Sequence, residues 1–294
     1  MSLQTRIDSY MWSKSDRKRD LGLTTPTDVE RFDNIEFADG LLMDLYRPRV
    51  STDSFPVIVN VHGGGWFYGN KEVYQYYCMR LAQHGYAVVN FNYRLAPRYK
   101  FPAQLEDTNA ALTWVVEHSA EYGLDTNKIC VVGDSAGAQI AGIYVCMLTD
   151  TKYRNRIISE YGGKINFPAN LMIRVMGMNC GVYDVRDERF TRVFIKKTHN
   201  MDKAASDAAV LEHVTKAFPP CFIMSGNNDF LLQDAHKLGK KLDELGVCNT
   251  VKIYGDDSHK VYHDFQCNIR DDIGSKADED EMRFFENVLS GIKG

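Results

Sequence analysis

The sequence predicts an α/β fold with a mostly parallel central sheet. From Pro56 onward, short apolar runs rich in β-branched residues alternate with longer segments of helical period. Strands that are apolar along their whole length are buried on both faces, which is typical of a parallel sheet with helices on both faces. Ahead of this region, NIEFADGLLMDLYRP predicts an N-terminal antiparallel hairpin that turns at Asp39-Gly40.

The alternation gives a definite order of elements. The strand in PVIVNVHGGGW precedes a helix that ends at Gly85, and the strand in YAVVNFNYRL precedes a helix from about Pro102 to Glu121. The strand in KICVVGDSAG leads into a helix from about Ala136 to Thr149, which is followed by the strand LMIRVMGMNC. PCFIMSG, a helix in LLQDAHKLGKKLDELG, VKIYG and a last helix near DEDEMRFFENVLSGIKG complete the series. Because no repeat or flexible linker divides the chain, residues 1–294 are predicted to form a single domain.

Composition argues against several classes of protein. The 35 Lys and Arg residues nearly balance 39 Asp and Glu and are dispersed, so we expect no nucleic-acid partner. The one short basic run, KSDRKRD, is interpreted as a solvated face. No apolar run approaches the ~20 residues of a membrane span, and no secretory signal is evident, which indicates a cytoplasmic location. Seven scattered cysteines are odd in number, which favours buried thiols over disulfides or metal ligands.

Ser135 is the first candidate site residue. It lies in VVGDSAGAQIAG, where the pattern G-x-S-x-G coincides with the end of a predicted strand and the start of a helix. A serine there occupies a turn so tight that side chains two positions away would collide with neighbouring backbone, which explains Gly133 and Gly137. The same pattern occurs in ordinary strand-to-helix loops, so it indicates a catalytic serine only in combination with the other motifs described below.

A glycine-rich loop follows the first strand of the alternation, in VNVHGGGWFYGN. Consecutive glycines leave backbone N–H groups unobstructed, and acyl transfer needs such donors to hold the oxyanion of a tetrahedral intermediate. The loop fits neither G-x-G-x-x-G nor G-x-x-x-x-G-K-[ST], so an oxyanion hole is favoured over a phosphate site.

Asp229 lies a few residues beyond the predicted strand PCFIMSG. A hydrolytic triad needs a carboxylate that holds the histidine in the right tautomer and stabilises its imidazolium form. Taken alone, an aspartate there is typical of a turn or a helix cap. Its place after a strand, together with the other two motifs, makes it a candidate for the triad.

Together these motifs resemble the α/β-hydrolases of the hormone-sensitive-lipase-like esterase group. The resemblance rests on HGGGW, YRLAP, FPAQLED, GDSAG and GNNDFL in that order, and it extends from about Pro56 to the C-terminus. It implies an α/β-hydrolase fold in which Ser135 is the nucleophile and Asp229 is the acid of a Ser-His-Asp triad.

The resemblance also assigns supporting roles. It implies that His62 orients the glycine loop through hydrogen bonds and is not the base. It implies an oxyanion hole made by the backbone N–H groups of Gly64, Gly65 and Ala136. It implies structural roles for Tyr93, Arg94 and Asp107.

Two histidines in SHKVYHDFQ are candidates for the base, because the order Ser, Asp, His places the base after the last strand. Loop length favours His259, which lies five residues past Tyr254, whereas His263 lies nine residues past it and needs a longer loop that folds back. Against it, the polar cluster DDSH is typical of a solvent-facing segment. The resemblance points to His263, since the signature of the group is a histidine followed two residues later by phenylalanine, here Phe265.

The resemblance implies a serine carboxylesterase that acts through an acyl-enzyme on a small-molecule ester and needs no metal or organic cofactor. Members of the group carry a small cap, which we expect from residues 1–33 and about 184–202. Because both segments are modest in length, we expect a small acyl pocket walled by Trp66 and Phe67, and hence short, acetyl-type esters. Either aromatic residue is equally well explained as core packing.

Two other functions stay open. Arylformamidases, which hydrolyse N-formylkynurenine-type amides, share a glycine-rich loop and a G-x-S-A-G-A turn, although that group usually has histidine where this chain has Asp134. A non-catalytic receptor for a small ligand can use the same fold, since fold does not determine function. Such receptors lose the catalytic histidine, whereas every triad member has a candidate here. The sequence leaves the natural substrate and the oligomeric state open.

Overall fold

Eight strands form one mixed sheet in the computed structural model, which describes residues 2–185, 192–195, 198 and 200–292. The strands are β1 (Val29–Ala38), β2 (Leu41–Pro48), β3 (Phe55–Val61), β4 (Ala87–Phe91), β5 (Leu124–Asp134), β6 (Ile173–Asn179), β7 (Cys221–Gly226) and β8 (Asn249–Tyr254). Their order in the sheet is β1-β2-β4-β3-β5-β6-β7-β8. β2 pairs antiparallel with β1 and β4, and all later pairs are parallel.

The predicted hairpin is confirmed. β1 and β2 turn at Asp39-Gly40, with Ala38 opposite Leu41, and Gly40 has a φ of +67°. This left-handed backbone conformation is one that glycine adopts without steric cost, which is why an Asp-Gly pair favours the turn.

The helices that the structure describes lie on both faces of the sheet, as predicted. They are α1 (Leu3–Asp20), α2 (Lys71–Gln83), α3 (Ala103–Glu117), α4 (Ser119–Tyr122), α5 (Ala136–Thr149), α6 (Thr151–Tyr161), α7 (Met201–Asp207), α8 (Val210–His213), α9 (Leu232–Glu244) and α10 (Asp272–Leu289). Successive residues of the central strands alternate between two cores. Val57 and Val131 belong to the core under α3, α5 and α9, whereas Ile58 and Val132 belong to the core under α2 and α10.

Two helical segments differ from the sequence prediction. The helix expected from about Pro102 to Glu121 is divided at His118, whose ring Nδ1 lies 3.1 Å from the carbonyl oxygen of Trp114. α6 lies outside the predicted elements, because its polar surface leaves only Tyr153 and Ile157 buried. Asp150 caps it by accepting a hydrogen bond from the N–H of Tyr153.

All seven cysteines lie in the described part of the chain and are free thiols, six of them buried and Cys248 exposed. The prediction of buried thiols is therefore confirmed for six of the seven. Among the helices of the described residues, none combines the length and apolar character needed to cross a bilayer.

The parallel strands bring the candidate site residues to one edge of the sheet. The glycine loop follows β3, Ser135 follows β5, Asp229 follows β7, and the two candidate histidines follow β8. In a parallel sheet the carboxyl ends of the strands face the same side, where ligands bind.

Candidate active site

Ser135 occupies a strained turn between β5 and α5. Its backbone has φ +50° and ψ −117°, a conformation that side-chain-bearing residues rarely adopt. The turn leaves no room for side chains on either side. A Cβ on Gly137 would lie 1.9 Å from the carbonyl oxygen of Val61, and one on Gly133 would lie 2.7 Å from the carbonyl oxygen of Gly137. The glycines of the motif therefore allow the helix to approach the sheet and leave the serine hydroxyl pointing into the site.

The structure brings His263 to Ser135. Its Nε2 lies 2.9 Å from Ser135 Oγ, and its Nδ1 lies 3.0 Å from both carboxylate oxygens of Asp229. Burial alone would lower the pKa of His263, but the carboxylates of Asp264, Asp229 and Asp134 outweigh burial and raise the pKa to about 9. The imidazole thus bridges a hydroxyl and a carboxylate, which is the arrangement of a Ser-His-Asp triad.

His259 is placed elsewhere. The residue is exposed, and its backbone closes a turn with Asp256, whose Oδ1 accepts the N–H of His259 at 2.9 Å. The short segment between Tyr254 and His259 forms this turn and does not reach Ser135. The chain then folds back and places His263 beside Ser135.

Asp229 is held by donors on several sides. Its Oδ1 accepts the N–H of Leu231 at 2.8 Å, and its Oδ2 accepts the hydroxyl of Ser225 at 3.2 Å. Burial would raise the pKa of Asp229, but hydrogen bonding and charge from His263, with the Leu231 N–H and the Cys180 thiol, lower it below the usual value. The carboxylate therefore stays ionised and fixes the orientation of the imidazole.

The glycine loop presents free backbone donors beside Ser135. Gly64 has φ +108°, and a Cβ there would lie 2.2 Å from the carbonyl oxygen of Tyr68. Within residues 2–185, 192–195, 198 and 200–292, the N–H groups of Gly64, Gly65 and Ala136 donate to no acceptor. Gly64, Gly65 and Ser135 line the same cavity. The three N–H groups named from the resemblance are thus available to a ligand.

Asp134 fixes this loop, a role that the sequence analysis did not find. Its Oδ1 accepts the N–H of Gly63 at 3.0 Å, and its Oδ2 accepts the hydroxyl of Tyr74 at 2.7 Å. Burial, reinforced by the charge of Asp264, raises the pKa of Asp134 well above its usual value. The residue before Ser135 thus ties the turn after β5 to the loop after β3. The only sequence signal for this contact is an acidic residue beside the motif, which is too common to be diagnostic.

His62 supports the loop and is not in contact with Ser135. It is fully buried, its Nδ1 donates to the carbonyl oxygen of Gly63 at 2.8 Å, and its ring stacks on Tyr93 with centroids 4.1 Å apart. Burial lowers the pKa of His62 to about 4, so the ring is neutral at neutral pH. Tyr93 in turn donates its hydroxyl to the carbonyl oxygen of His62 at 2.8 Å.

Arg94 and Asp107, for which the resemblance implies structural roles, form an ion pair. The guanidinium Nε of Arg94 donates to Asp107 Oδ1 at 2.8 Å, and the backbone N–H of Arg94 donates to Oδ2 at 2.7 Å. Both contacts hold the chain after β4 against α3.

A cavity of about 380 Å³ opens beside Ser135. Its wall is formed by α1, by Tyr74 of α2 and by the segments that follow β3, β5, β6, β7 and β8. The lining residues are Trp12, Ser15, Asp16, Arg19, Gly64, Gly65, Trp66, Tyr68, Tyr74, Ser135, Val182, Phe230, His263, Asp264 and Cys267.

The two aromatic residues predicted to wall the pocket have different positions. Trp66 lines the cavity, and its indole N–H donates to Gln139 Oε1 at 3.0 Å while its ring stacks on Phe194 at 4.7 Å. Phe67 lies outside the cavity lining and stacks on Trp12, with centroids 5.2 Å apart. Phe67 therefore supports the wall from behind.

The basic run KSDRKRD is only partly a solvated face. Lys14, Arg17 and Lys18 are exposed, but Asp16 and Arg19 turn toward the cavity. Asp16 Oδ2 accepts the hydroxyl of Tyr68 at 2.6 Å, which ties α1 to the glycine loop. Arg19 donates to the carbonyl oxygen of Val73 at 2.6 Å, which ties α1 to α2. The three-residue spacing puts both residues on the inner face of the helix.

The two expected cap segments are described to different extents. α1, within residues 1–33, contributes Trp12, Ser15, Asp16 and Arg19 to the cavity wall. Most of the segment at about 184–202 lies outside the described residues, since only 184, 185, 192–195, 198 and 200–202 are described. Its described part contributes Phe194, which packs behind Trp66.

The chain is similar in sequence and in fold to several known proteins. The BD-FAE family model matches residues 43–242. Carboxylesterase NlhH of Mycobacterium tuberculosis is 41% identical over 107 residues, which is 36% of this chain and 34% of that protein. Acetyl esterase of Salmonella schwarzengrund is 29% identical over 249 residues, covering 82% of this chain and 74% of the relative. Esterase B from Lactobacillus rhamnosis superposes with a TM-score of 0.83 at 21% identity, covering 98% of this chain and 95% of that structure.

The sheet order, the strained serine turn and the converging histidine and aspartate define an α/β-hydrolase. Since the family match extends over more than half of its length, the chain belongs to the BD-FAE family. The matched region spans only about a third of the length of NlhH.

Proposed function

We propose that this protein is a serine carboxylesterase that hydrolyses short-chain, acetyl-type esters of small molecules. The observation that carries the proposal is the continuous series of contacts from Ser135 Oγ through His263 to Asp229, at 2.9 and 3.0 Å. Free N–H donors beside that hydroxyl supply what acyl transfer needs at its oxyanion.

In the acylation step, Ser135 Oγ bonds to the ester carbonyl carbon while its proton passes to His263 Nε2. The N–H groups of Gly64, Gly65 and Ala136 stabilise the negative oxygen. Losing one such donor typically costs about 10² to 10³ in rate. The carbon–oxygen bond to the alcohol then breaks, and His263 returns its proton to the departing oxygen.

Deacylation repeats the same chemistry with water. His263 removes a proton from water as the water oxygen attacks the acyl carbon, and the bond to Ser135 Oγ then breaks. The proton returns to Ser135 and the acid is released. Asp229 stays ionised and stabilises the imidazolium in both half-reactions.

The dimensions of the cavity support a small substrate. At about 380 Å³ it lies near the lower end of the range for small-molecule sites, and it must hold both the acyl group and the alcohol. We assign the cap function to α1, whose Trp12 and Arg19 border the cavity. The name of the Salmonella acetyl esterase agrees with this substrate class, and that of NlhH agrees with ester hydrolysis.

The test is kcat/KM for p-nitrophenyl acetate, butyrate and octanoate and for N-formylkynurenine, with Ser135→Ala as the blank. We expect acetate to be turned over fastest and octanoate slowest, since each methylene that a closed pocket excludes is worth ~1 to 3 kcal/mol. Turnover of the formamide in place of the esters would establish the arylformamidase alternative. No turnover of any of the four would favour the receptor.

Covalent labelling gives a second readout that does not depend on the choice of ester. An alkyl fluorophosphonate should add one mass equivalent to the wild-type chain, and peptide mapping should place it on Ser135. The Ser135→Ala variant should remain unlabelled. Labelling at another residue would contradict the assignment of the nucleophile.

A further inference from the structure

A second carboxylate faces the catalytic nitrogen of His263. Oδ2 of Asp264 lies 3.3 Å from His263 Nε2, the atom that lies 2.9 Å from Ser135 Oγ. The carboxylate of Asp229 accepts a hydrogen bond from the other ring nitrogen, Nδ1. The imidazole is therefore flanked by one carboxylate at each nitrogen, whereas a Ser-His-Asp triad requires a carboxylate only at Nδ1.

The backbone at Asp264 is unusual for an aspartate. It has φ +54° and ψ +31°, in the left-handed region where glycine is the least strained residue. One carboxylate oxygen, Oδ1, is buried and has no hydrogen-bond partner among the described residues. Neither feature contributes to folding stability, so the fold accommodates a carboxylate here at a cost that packing does not explain.

We propose that Asp264 is a positioning residue that acts through His263, stabilising its imidazolium form by the charge of the nearby carboxylate. This inference rests on the proposed hydrolase chemistry. Asp264 itself forms and breaks no bond to the substrate.

The charges around the pair agree with this role. Groups from several parts of the fold face His263 or Asp264. They are Asp16 and Arg19 from α1, Asp134 with Tyr74 beneath the glycine loop, Asp229 after β7, and the thiols of Cys180 and Cys267. Arg19 is the cation among them, and it is already hydrogen-bonded to Asp20 and Asp16.

The pKa directions follow from these neighbours. Burial, with the charges of Asp229 and Asp16, raises the pKa of Asp264 to about 6, while His263 and Arg19 oppose the rise. Asp264 is therefore ionised at neutral pH, where its charge keeps His263 protonated. Only the neutral imidazole can remove the proton of Ser135, so the proposed reaction should accelerate as the pH rises toward the pKa of His263, which is about 9.

The first experiment is the pH profile of kcat/KM for p-nitrophenyl acetate in wild type, Asp264→Asn and Asp264→Gly. Asparagine and glycine both tolerate the left-handed backbone, so both variants should fold. The acid limb of the profile is the low-pH side, where kcat/KM falls as His263 becomes protonated. Loss of the carboxylate should shift this limb to lower pH by about 1 unit or more. The ratio of kcat/KM at pH 7 to its maximum at high pH should then be about 10-fold larger in the variants than in wild type.

The matched control is Asp257→Asn, which removes the same charge from an exposed position in the same loop. Its acid limb should coincide with that of wild type. A limb that stays in place in both Asp264 variants, or that moves equally in the Asp257 variant, would overturn the proposal. A purely structural role would lower the plateau and leave the limb unchanged.

A titration without turnover separates this inference from the proposed function. The ¹⁵N shifts of the His263 imidazole can be followed by NMR in Ser135→Ala and in Ser135→Ala/Asp264→Asn, with His263→Gln to assign the signals. We expect the pKa of His263 to fall by about 1 unit or more in the double variant. An unchanged pKa would refute the role of Asp264 even in an active esterase. A lowered pKa would support it even if none of the esters is hydrolysed.

Discussion

The close approach of α5 to β3 at Gly137 can be tested by adding one methyl group. In Gly137→Ala the new Cβ would lie 1.9 Å from the carbonyl oxygen of Val61 and 2.5 Å from that of His62. Backbone atoms cannot rotate away as a side chain can. The helix must therefore withdraw by about 1.5 Å to reach an ordinary contact distance.

This displacement acts directly on the catalytic groups. The start of α5 carries the Ala136 N–H and follows Ser135, whereas Val61 and His62 lead into the glycine loop. The change therefore separates the proposed nucleophile from the proposed oxyanion donors. A misplacement of ~1 Å costs about 10² in rate, so we expect kcat/KM for p-nitrophenyl acetate to fall about 100-fold or more. Crowding should lower the free energy of unfolding by about 1 to 3 kcal/mol, measured by urea denaturation.

The same helix offers a matched control in Gly142→Ala. Its Cβ would meet a methyl of Val210 at 2.8 Å and the end of the Met178 side chain at 3.1 Å, atoms that can shift. We expect activity close to wild type, with any loss of stability partly offset by the helix preference of alanine. If Gly137→Ala kept wild-type kcat/KM, or if both variants lost activity equally, the spacing at residue 137 would not be what aligns the site.

Three further predictions concern the base, the cavity wall and the effect of acid. His263→Ala should lower kcat/KM for p-nitrophenyl acetate about 10² to 10⁴-fold, whereas His259→Ala should leave most of it; the opposite pattern would sink the assignment of the base. Trp12→Ala should raise the ratio of octanoate to acetate turnover by opening the cavity, while Tyr10→Ala, an exposed aromatic of the same helix, should not; an unchanged ratio would exclude Trp12 from the acyl wall. Because the pKa of His62 is about 4 when folded and about 6.5 when unfolded, the unfolded state binds the proton first as the pH falls. The contribution of His62 should therefore fall by up to about 3 kcal/mol between pH 6.5 and 4, measured by urea denaturation as the difference between wild type and His62→Gln over that interval.

Much of the fold follows from local properties of the chain. Apolar strands alternating with helices predict the parallel sheet, because such strands can be buried only between two helical layers. Asp39-Gly40 predicts the hairpin because its turn needs positive φ. Gly133 and Gly137 predict the serine turn because neither position has space for a side chain. In each case the physical cause acts over a few neighbouring residues, so the sequence displays it directly.

The site depends more on contacts between distant segments. His259 and His263 have the same chemistry and the same place in the chain order, and loop length favours the wrong one for contact with Ser135. The resemblance to esterases pointed to His263, and only the path of the loop after β8 brings its Nε2 to 2.9 Å from Ser135 Oγ. The bond from Gly63 to Asp134 likewise joins residues 71 positions apart.

The sheet class, the hairpin, the serine turn and the glycine loop can be predicted from the sequence, because each depends on steric limits or burial within a short segment. The inward turn of Asp16 and Arg19, the place of Phe67 behind the cavity wall and the contact of Asp264 with His263 are seen only in the folded chain. These outcomes depend on how α1 is rotated against the glycine loop and on how the chain after β8 folds back. Packing among several elements sets both, and no pattern within one segment encodes them.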